Sequence, residues 1–333
     1  MVTMSWLFNT DYELKLFSSN PQIKESSRLN QEFEYLMHYL DYSPIATLKQ
    51  YSKEAIEKIE FLSNKKFELD SNIKNAKNFW GELKDIELER KLNSKITTTQ
   101  FLIENGLSHP STLILNEIDE KFLSKNFVIK LAGGFSGKEV YSGDKFKFKN
   151  GPIIVELKLD RLFDFSVLNE NGVNYIYQNF IDKHFQYRGT IINRSTVLNP
   201  EMFLIDFNIS EDEAKKYNNF LKQIKKNWGE NSIYSIDSFI YQNDLLRKVY
   251  FMSEINYRKT FGWLTLKLAD KFLKDFQWVG LFLSKLKNLD KNSEFKIISL
   301  SPNENQFQVY LCGSNHLTET NKFIGYFQGP DTF

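Results

Sequence analysis

The chain has 333 residues, with 43 Lys and Arg against 42 Asp and Glu and a formal net charge of +1. That balance argues against a strongly electrostatic nucleic-acid binder, and the length suits one multi-lobed unit or two domains. Cys312 is the single cysteine, which excludes an intramolecular disulfide, and 4 histidines with no close Cys/His spacing argue against structural zinc. The first residues carry no basic segment before an apolar core, and no apolar run is long enough to span a bilayer. A soluble, cytoplasmic protein without a membrane partner is therefore expected.

Residues 4–8 read as a short strand. Residues 29–40 predict a helix, with Phe33, Leu36, Met37 and Leu40 at helical spacing. Residues 48–62, carrying Ile56, Ile59 and Leu62, predict a second helix, and the charged stretch 72–92 around Trp80 predicts a third. A further helix opens at Lys95 and runs to Asn105, where Gly106 is a plausible C′ residue. Residues 113–115 and 128–129 read as strands, and the segment Phe127-Val-Ile-Lys130 ends in a lysine.

A glycine-rich loop follows, Gly133-Gly134-Phe-Ser136-Gly137-Lys138. Glycines there would let backbone N–H groups approach phosphate oxygens. It is not a Walker A loop, because Val140-Tyr141 and Phe146-Lys-Phe148 suggest strands rather than a helix, and the spacing does not fit G-x-G-x-x-G. Taken alone, the loop reads equally well as an ordinary hairpin.

Residues 155–159 alternate as a strand, and 159–168 fit a strand or a helix. Residues 189–192 and 202–205 read as strands. Residues 211–228 form an amphipathic helix with an acidic first turn, as the helix dipole favours. Residues 260–286 read as largely helical, and 295–299 with 306–311 as a terminal strand pair.

The segment Met252-Ser-Glu254-Ile-Asn256-Tyr-Arg258 carries the most chemistry. On a strand, Glu254, Asn256 and Arg258 share one face. Two hard oxygen donors and a guanidinium there suit a magnesium ion and the phosphates it bridges, although a solvated strand would show the same alternation.

In order and spacing, these segments resemble the ATP-grasp superfamily of ATP-dependent ligases over residues 90–265. Leu92-Asn-Ser-Lys95 is similar to the family's first nucleotide-binding lysine, and Phe127-Val-Ile-Lys130 to the second. Gly133, Gly134, Ser136 and Gly137 resemble the phosphate lid. Tyr175-Ile-Tyr-Gln178-Asn179-Phe180-Ile181 resembles the hinge whose backbone reads adenine, and Gln186-Tyr-Arg188 the strand after it. Ser235-Ile-Asp237 and Glu254-Ile-Asn256 resemble the paired metal strands. The hinge usually begins with Glu where Gln178 stands, and Gln186 is an amide near the place of a ribose-binding acid. Phe8-Asn9-Thr10-Asp11-Tyr-Glu13-Leu also resembles the F-N-P-[DE]-x-[DE]-L opening of an uncharacterised bacterial branch, with Thr10 in place of proline. Glu254 to Gly262 fits that branch's second motif, E-I-N-x-R-x-x-x-G.

The resemblance implies an α/β (α+β) ATP-grasp fold, with two α+β lobes sandwiching ATP. Residues 1–90 would form a reduced Rossmann-like lobe, 91–182 the small lobe and 183–333 the large lobe with a C-terminal extension. It implies a ligase that activates a carboxylate as an acyl phosphate and joins it to an amine or thiol. ATP would be held by Lys95, Lys130, the lid and the hinge. One or two Mg²⁺ ions, with Mn²⁺ able to substitute, would be held by Asp237, Glu254 and Asn256. Arg258 and Arg188 would act on the transferred group and the acceptor carboxylate. Small-molecule carboxylates and amines are the implied substrates, with amino acids or a peptide as candidates. His184 beside the hinge reads better as an exposed loop residue. An ATP-grasp kinase and a non-catalytic ATP-binding protein are the alternatives, and the oligomeric state stays open.

Overall fold

The computed structural model describes residues 4–17, 24–82, 84–133, 139–147, 151–182, 186–284 and 295–316. The first lobe alternates short strands with helices: β1 Ser5–Leu7, α1 Tyr12–Phe17, α2 Lys24–Phe33, α3 His38–Asp41, β2 Ile45–Ala46, α4 Lys53–Ser63, β3 Leu69–Asp70, β4 Ala76–Phe79 and α5 Ile86–Leu92. The strands pair in parallel in the order β3-β2-β1-β4. Parallel neighbours need crossovers, and the intervening helices supply them. Helix α4 begins where the Ser52 hydroxyl accepts from the Ala55 N–H, and it ends at Asn64 in the left-handed region (φ 52). This is the expected reduced α/β lobe.

The predicted helix over 72–92 is not formed. Residues 76–79 pair with β1 instead, a 3-10 turn spans Ile73–Asn75, and the α-helical part is α5, capped by Asp85. Gly81 stops the pattern between them: a Cβ there would lie 2.3 Å from the Tyr12 ring.

The second lobe contains α6 Lys95–Glu104, β5 Leu113–Leu115, β6 Phe127–Leu131, β7 Val140–Ser142 and β8 Ile153–Leu157. Its sheet runs β5-β8-β6-β7, all antiparallel. Phe146 and Lys147 lie in no strand.

The remaining elements are β9 Asp160–Glu170, β10 Val173–Ile181, β11 Tyr187–Asn193, α7 Pro200–Asp206, α8 Glu211–Trp228, β12 Tyr234–Asn243, β13 Leu246–Asn256, α9 Phe261–Phe272, β14 Trp278–Ser284, β15 Lys296–Ser299 and β16 Gln308–Ser314. Eight strands form one antiparallel sheet in the order β13-β12-β9-β10-β11-β14-β16-β15. Asn171 (φ 51) and Gly172 (φ 80) turn β9 into β10 with the positive φ pair that a two-residue hairpin needs.

Residues 202–205 are helical rather than extended. Asn199 caps α7 and Pro200 occupies its first turn, a start signal stronger than the four apolar residues after it. Residues 260–286 divide into α9 and β14, because the apolar run from Trp278 fills the slot between β11 and β16.

The chain leaves the four-stranded sheet at Leu157 and enters the eight-stranded sheet at Asp160. A lobe boundary at 182 therefore falls inside the larger sheet. Helix α8 covers one face of that sheet with Tyr217, Phe220, Leu221 and Ile224, packed among residues such as Phe165, Val167 and Ile236. The opposite face carries a row of polar side chains. Farther along, α9 and the first lobe pack over it through Trp6, Phe33, Trp263 and Leu264.

Candidate active site

Two cavities open on the polar face, and Asn179, Ile181, Asp237 and Glu254 line both. The first lies between the two antiparallel sheets and contains the lysines. Lys95 is buried at the N-terminus of α6, whose cap is Ser94, and its Nζ stands 2.8 Å from Glu254 Oε1. Lys130, on β6, stands 2.6 Å from Glu156 Oε2 on the neighbouring strand β8. The Tyr250 hydroxyl donates to the other Glu156 oxygen. Each lysine is thus held at the cavity wall by one carboxylate. Arg161 lies 4.1 Å over the Phe239 ring and pairs with Asp164, and burial lowers its guanidinium to about 10.

The common floor is an ordered relay of hydrogen bonds across neighbouring strands. Tyr187 donates to Thr190 (2.9 Å), and Thr190 donates to Asn179 Oδ1 (2.9 Å). The Asn179 amide donates to Ser166, whose hydroxyl donates to Asp237 Oδ1 at 2.6 Å. From the other side, Arg258 Nη2 donates to Asn256 Oδ1 (2.9 Å), and the Asn256 amide donates to Asp237 Oδ2 (2.9 Å). Strand register makes this possible, since Asp237 lies opposite both Glu254 and Ser166. Burial and the nearby Glu254 charge push the Asp237 carboxyl up to about 6.

That surplus of negative charge fits a divalent cation. No group of three or more His, Cys, Asp or Glu side chains could hold a metal among the described residues. Asp237 and Glu254 are two carboxylates, the number magnesium takes when phosphates and water complete its shell. Asn256, expected as a third ligand, braces Arg258 against Asp237.

Arg258 continues the relay into the first lobe. Its Nη2 lies 2.8 Å from Glu13 Oε1, and Glu13 is buried on α1. Burial pushes the Glu13 carboxyl up, opposed by the Arg258 charge. Asn9 and Gly81 exchange two hydrogen bonds, 2.7 and 3.0 Å, that fix the start of α1. The two signature motifs thus meet in space.

The segment read as the adenine hinge is a paired strand that reaches the cavities through Asn179 and Ile181. Strand β10 is an inner strand, with Gln178 paired to both Phe165 and Ile191. Up to Asn179 its backbone is paired on both sides, so those donors and acceptors are not open to a base edge. Asn179 and Ile181 face the cavities, whereas Gln178 and Phe180 point to the opposite face, Phe180 packing with Ile191 and Phe282. The crossing between the sheets, Leu157 to Leu159, lines the first cavity instead.

Arg188 lines neither cavity and is clamped to Asp182 through Nη2 (2.6 Å) and Nε (3.1 Å). Gln186 is exposed in the same turn. Gly133 packs on Phe17, where a Cβ would come within 2.4 Å of the ring, so close approach to the first lobe requires that glycine. Gly134, Ser136, Gly137 and His184 lie outside the described residues.

Among solved structures, the chain is similar to N5-carboxyaminoimidazole synthetase from Staphylococcus aureus complexed with ADP. They share 12% identity over 99% of this chain and 98% of that one, with a TM-score of 0.52. The chain has the ATP-grasp fold. Two other ATP-grasp neighbours are an ADP complex of N5-carboxyaminoimidazole ribonucleotide synthetase (12% identity, 85% of each chain, TM-score 0.49) and L-amino acid ligase from Bacillus licheniformis (12% identity, 92% of this chain and 84% of that one, TM-score 0.45). No protein-family model matches the sequence, and no curated protein matches it significantly. Within the ATP-grasp fold, the first cavity lies between the two antiparallel sheets, and the second lies between the eight-stranded sheet and the first lobe. No helix among the described residues is long and apolar enough to cross a membrane.

Sequence reasoning missed Glu156, Arg161, Ser166 and Thr190, and had Glu13 only as a motif position without a role in the site. Glu156 had a visible signal, a lone acid inside the apolar run Ile153-Ile-Val-Glu156-Leu. The others become site residues only through strand pairing and lobe packing.

Proposed function

We propose that the protein is an ATP- and magnesium-dependent ligase that joins a carboxylate to an amine or thiol and releases ADP and phosphate. The observation that carries this reading is the shared floor: a lysine-bearing cavity and a second cavity meet at Asp237 and Glu254. A phosphoryl group bound in one can therefore be presented to an acceptor in the other.

Lys95 and Lys130 would bind the nucleotide phosphates, exchanging part of their pairing with Glu254 and Glu156 for phosphate oxygens. Leu157 to Leu159 would read adenine at the crossing between sheets. Asp237 and Glu254 would hold magnesium, which would supply charge neutralisation for the nucleotide phosphates. Asn256 and Ser166 hold Asp237 in place for that task. The acceptor carboxylate oxygen attacks the γ-phosphorus, the bond to the β-phosphate oxygen breaks, and ADP leaves. Arg258, fixed by Glu13 and Asn256, faces the second cavity and would stabilise the charge that develops on the transferred group. The nucleophile then attacks the acyl carbon, phosphate leaves, and an amine's extra proton passes to solvent. The ADP bound in the Staphylococcus aureus neighbour supports the nucleotide part of this reading.

The test is ADP release over a panel of carboxylates with and without hydroxylamine. Acid-dependent ADP release with a hydroxamate product is expected. ADP release with phosphorylated hydroxyl products and no hydroxamate would replace the ligase with a kinase.

A further inference from the structure

The second cavity constrains its occupant. Its apolar walls are the rings of Trp80, Tyr177, Tyr187 and Phe261, with Leu29 and Ile181. Tyr187 and Phe261 stack at 5.1 Å with 17° between their planes, and Trp80 meets Phe261 edge-on at 5.6 Å. Such rigid rings favour a flat apolar partner by burial and by ring-to-ring geometry.

Among the described residues, charge in this cavity is confined to the floor, at Asp237, Glu254 and Arg258. The two carboxylates repel an anion. Arg258 Nε and Nη2 point at Glu13, Nη2 also reaches Asn256, and Nη1 reaches the Lys259 carbonyl at 3.1 Å. One Nη1 hydrogen is left. That is enough for the single carboxylate that reacts, but a bidentate clamp on a second one needs two parallel N–H groups.

We propose that the substrate is a monocarboxylic acid with an aromatic or other flat apolar body, its ring against Phe261 and Tyr187 and its carboxylate at Arg258. This rests on the assignment of the second cavity to the carboxylate substrate.

Titration calorimetry with ADP and magnesium first tests the nucleotide site by itself. ADP release with hydroxylamine is then measured over size-matched aromatic monocarboxylates, branched aliphatic monocarboxylates and dicarboxylates. Aromatic monocarboxylates should raise the rate by about tenfold or more over the acid-free rate, and dicarboxylates should not. Phe261→Ala should raise KM for the best aromatic acid about fivefold while KM for ATP stays within about twofold. Phe261→Leu keeps apolar bulk without the flat face, and it decides the matter if the alanine variant does not fold. ADP binding without turnover of any aromatic acid, preference for a dicarboxylate or aliphatic acid, or unchanged KM in a folded Phe261 variant overturns the proposal and leaves the nucleotide site standing. Absence of ADP binding overturns the ligase reading and this proposal together.

Discussion

Arg258 and Glu13 lie 245 residues apart in sequence, yet both Nε (3.0 Å) and Nη2 (2.8 Å) of the arginine point at one oxygen of the carboxylate. The second Glu13 oxygen is buried without a hydrogen-bond partner. One side chain of the first lobe thus sets the aim of an arginine on the floor of the site. Removing a carboxylate from such a pair strands the guanidinium, at a cost of about 3 kcal/mol. Glu13→Ala should therefore lower stability by about that much in urea unfolding, and Glu13→Gln, which keeps an acceptor, by about 1 kcal/mol. An alanine variant within about 0.5 kcal/mol of wild type would show that the pair holds nothing in place.

Glu254→Gln should abolish turnover and leave the fold intact. The amide still accepts from Lys95 Nζ, now 2.8 Å from the carboxylate, but it no longer offers an anionic metal ligand. Electrostatic losses at comparable positions are roughly 3–4 kcal/mol, or about two to three orders of magnitude in rate. The check is the melting temperature beside the ADP release rate. Activity within a few fold of wild type would remove Glu254 from the metal site.

The raised Asp237 carboxyl predicts how binding responds to pH. Metal-nucleotide needs the ionised carboxylate, and the free protein holds a proton there below about 6. Affinity for ADP with magnesium should therefore rise from pH 5 to 7 and level off, weakening about tenfold per pH unit well below 6. The same shift makes the ionised group a cost to the free fold. That cost is absent below the unfolded-state value of about 3.9 and fully present above the folded value. Calorimetry across pH tests this, with Asp237→Asn as the control that should flatten the profile. A flat wild-type profile would reject Asp237 as a ligand.

Amide hydrogen exchange separates the two possible adenine sites. Residues 178 and 179 sit in ladders on both sides, residues 180 and 181 pair with β11, and all four should be protected with or without nucleotide. Leu157 and Lys158 already donate to Ser111 and Asn126, so at the crossing between the sheets it is the Leu159 amide that should gain protection when ADP binds. Nucleotide-dependent protection confined to 178–181 would return the hinge to β10.

The residues that carry the chemistry of the short motifs were legible in the sequence: Lys95, Lys130, Asp237, Glu254, Asn256 and Arg258 all reach the two cavities or their common floor. Their neighbours announce them, because an isolated charge at the end of an apolar strand has few structural reasons to be there. The crossing between the two sheets was not legible. Ile153 to Leu159 and Tyr175 to Ile181 are both apolar strands interrupted by polar residues, and which of them bridges two sheets is decided by pairing partners far away in sequence. Similarly, the run from Trp278 has no periodicity to separate a fully buried strand from a helix. Helix α7 was a failure of a different kind, since the Asn199-Pro200 start signal lay in plain view.

The strands beyond α9 limit how the gene can be cut. Strand β14 hydrogen-bonds to β11, the strand that carries Thr190, and Gly189 leaves no room for a Cβ beside Phe282 of β14. A fragment ending at Phe272 would leave Gly189 to Asn193 of β11 as an unpaired edge, a template for pairing with other chains. Expression boundaries drawn just past the last site residue should therefore yield aggregates rather than a smaller enzyme.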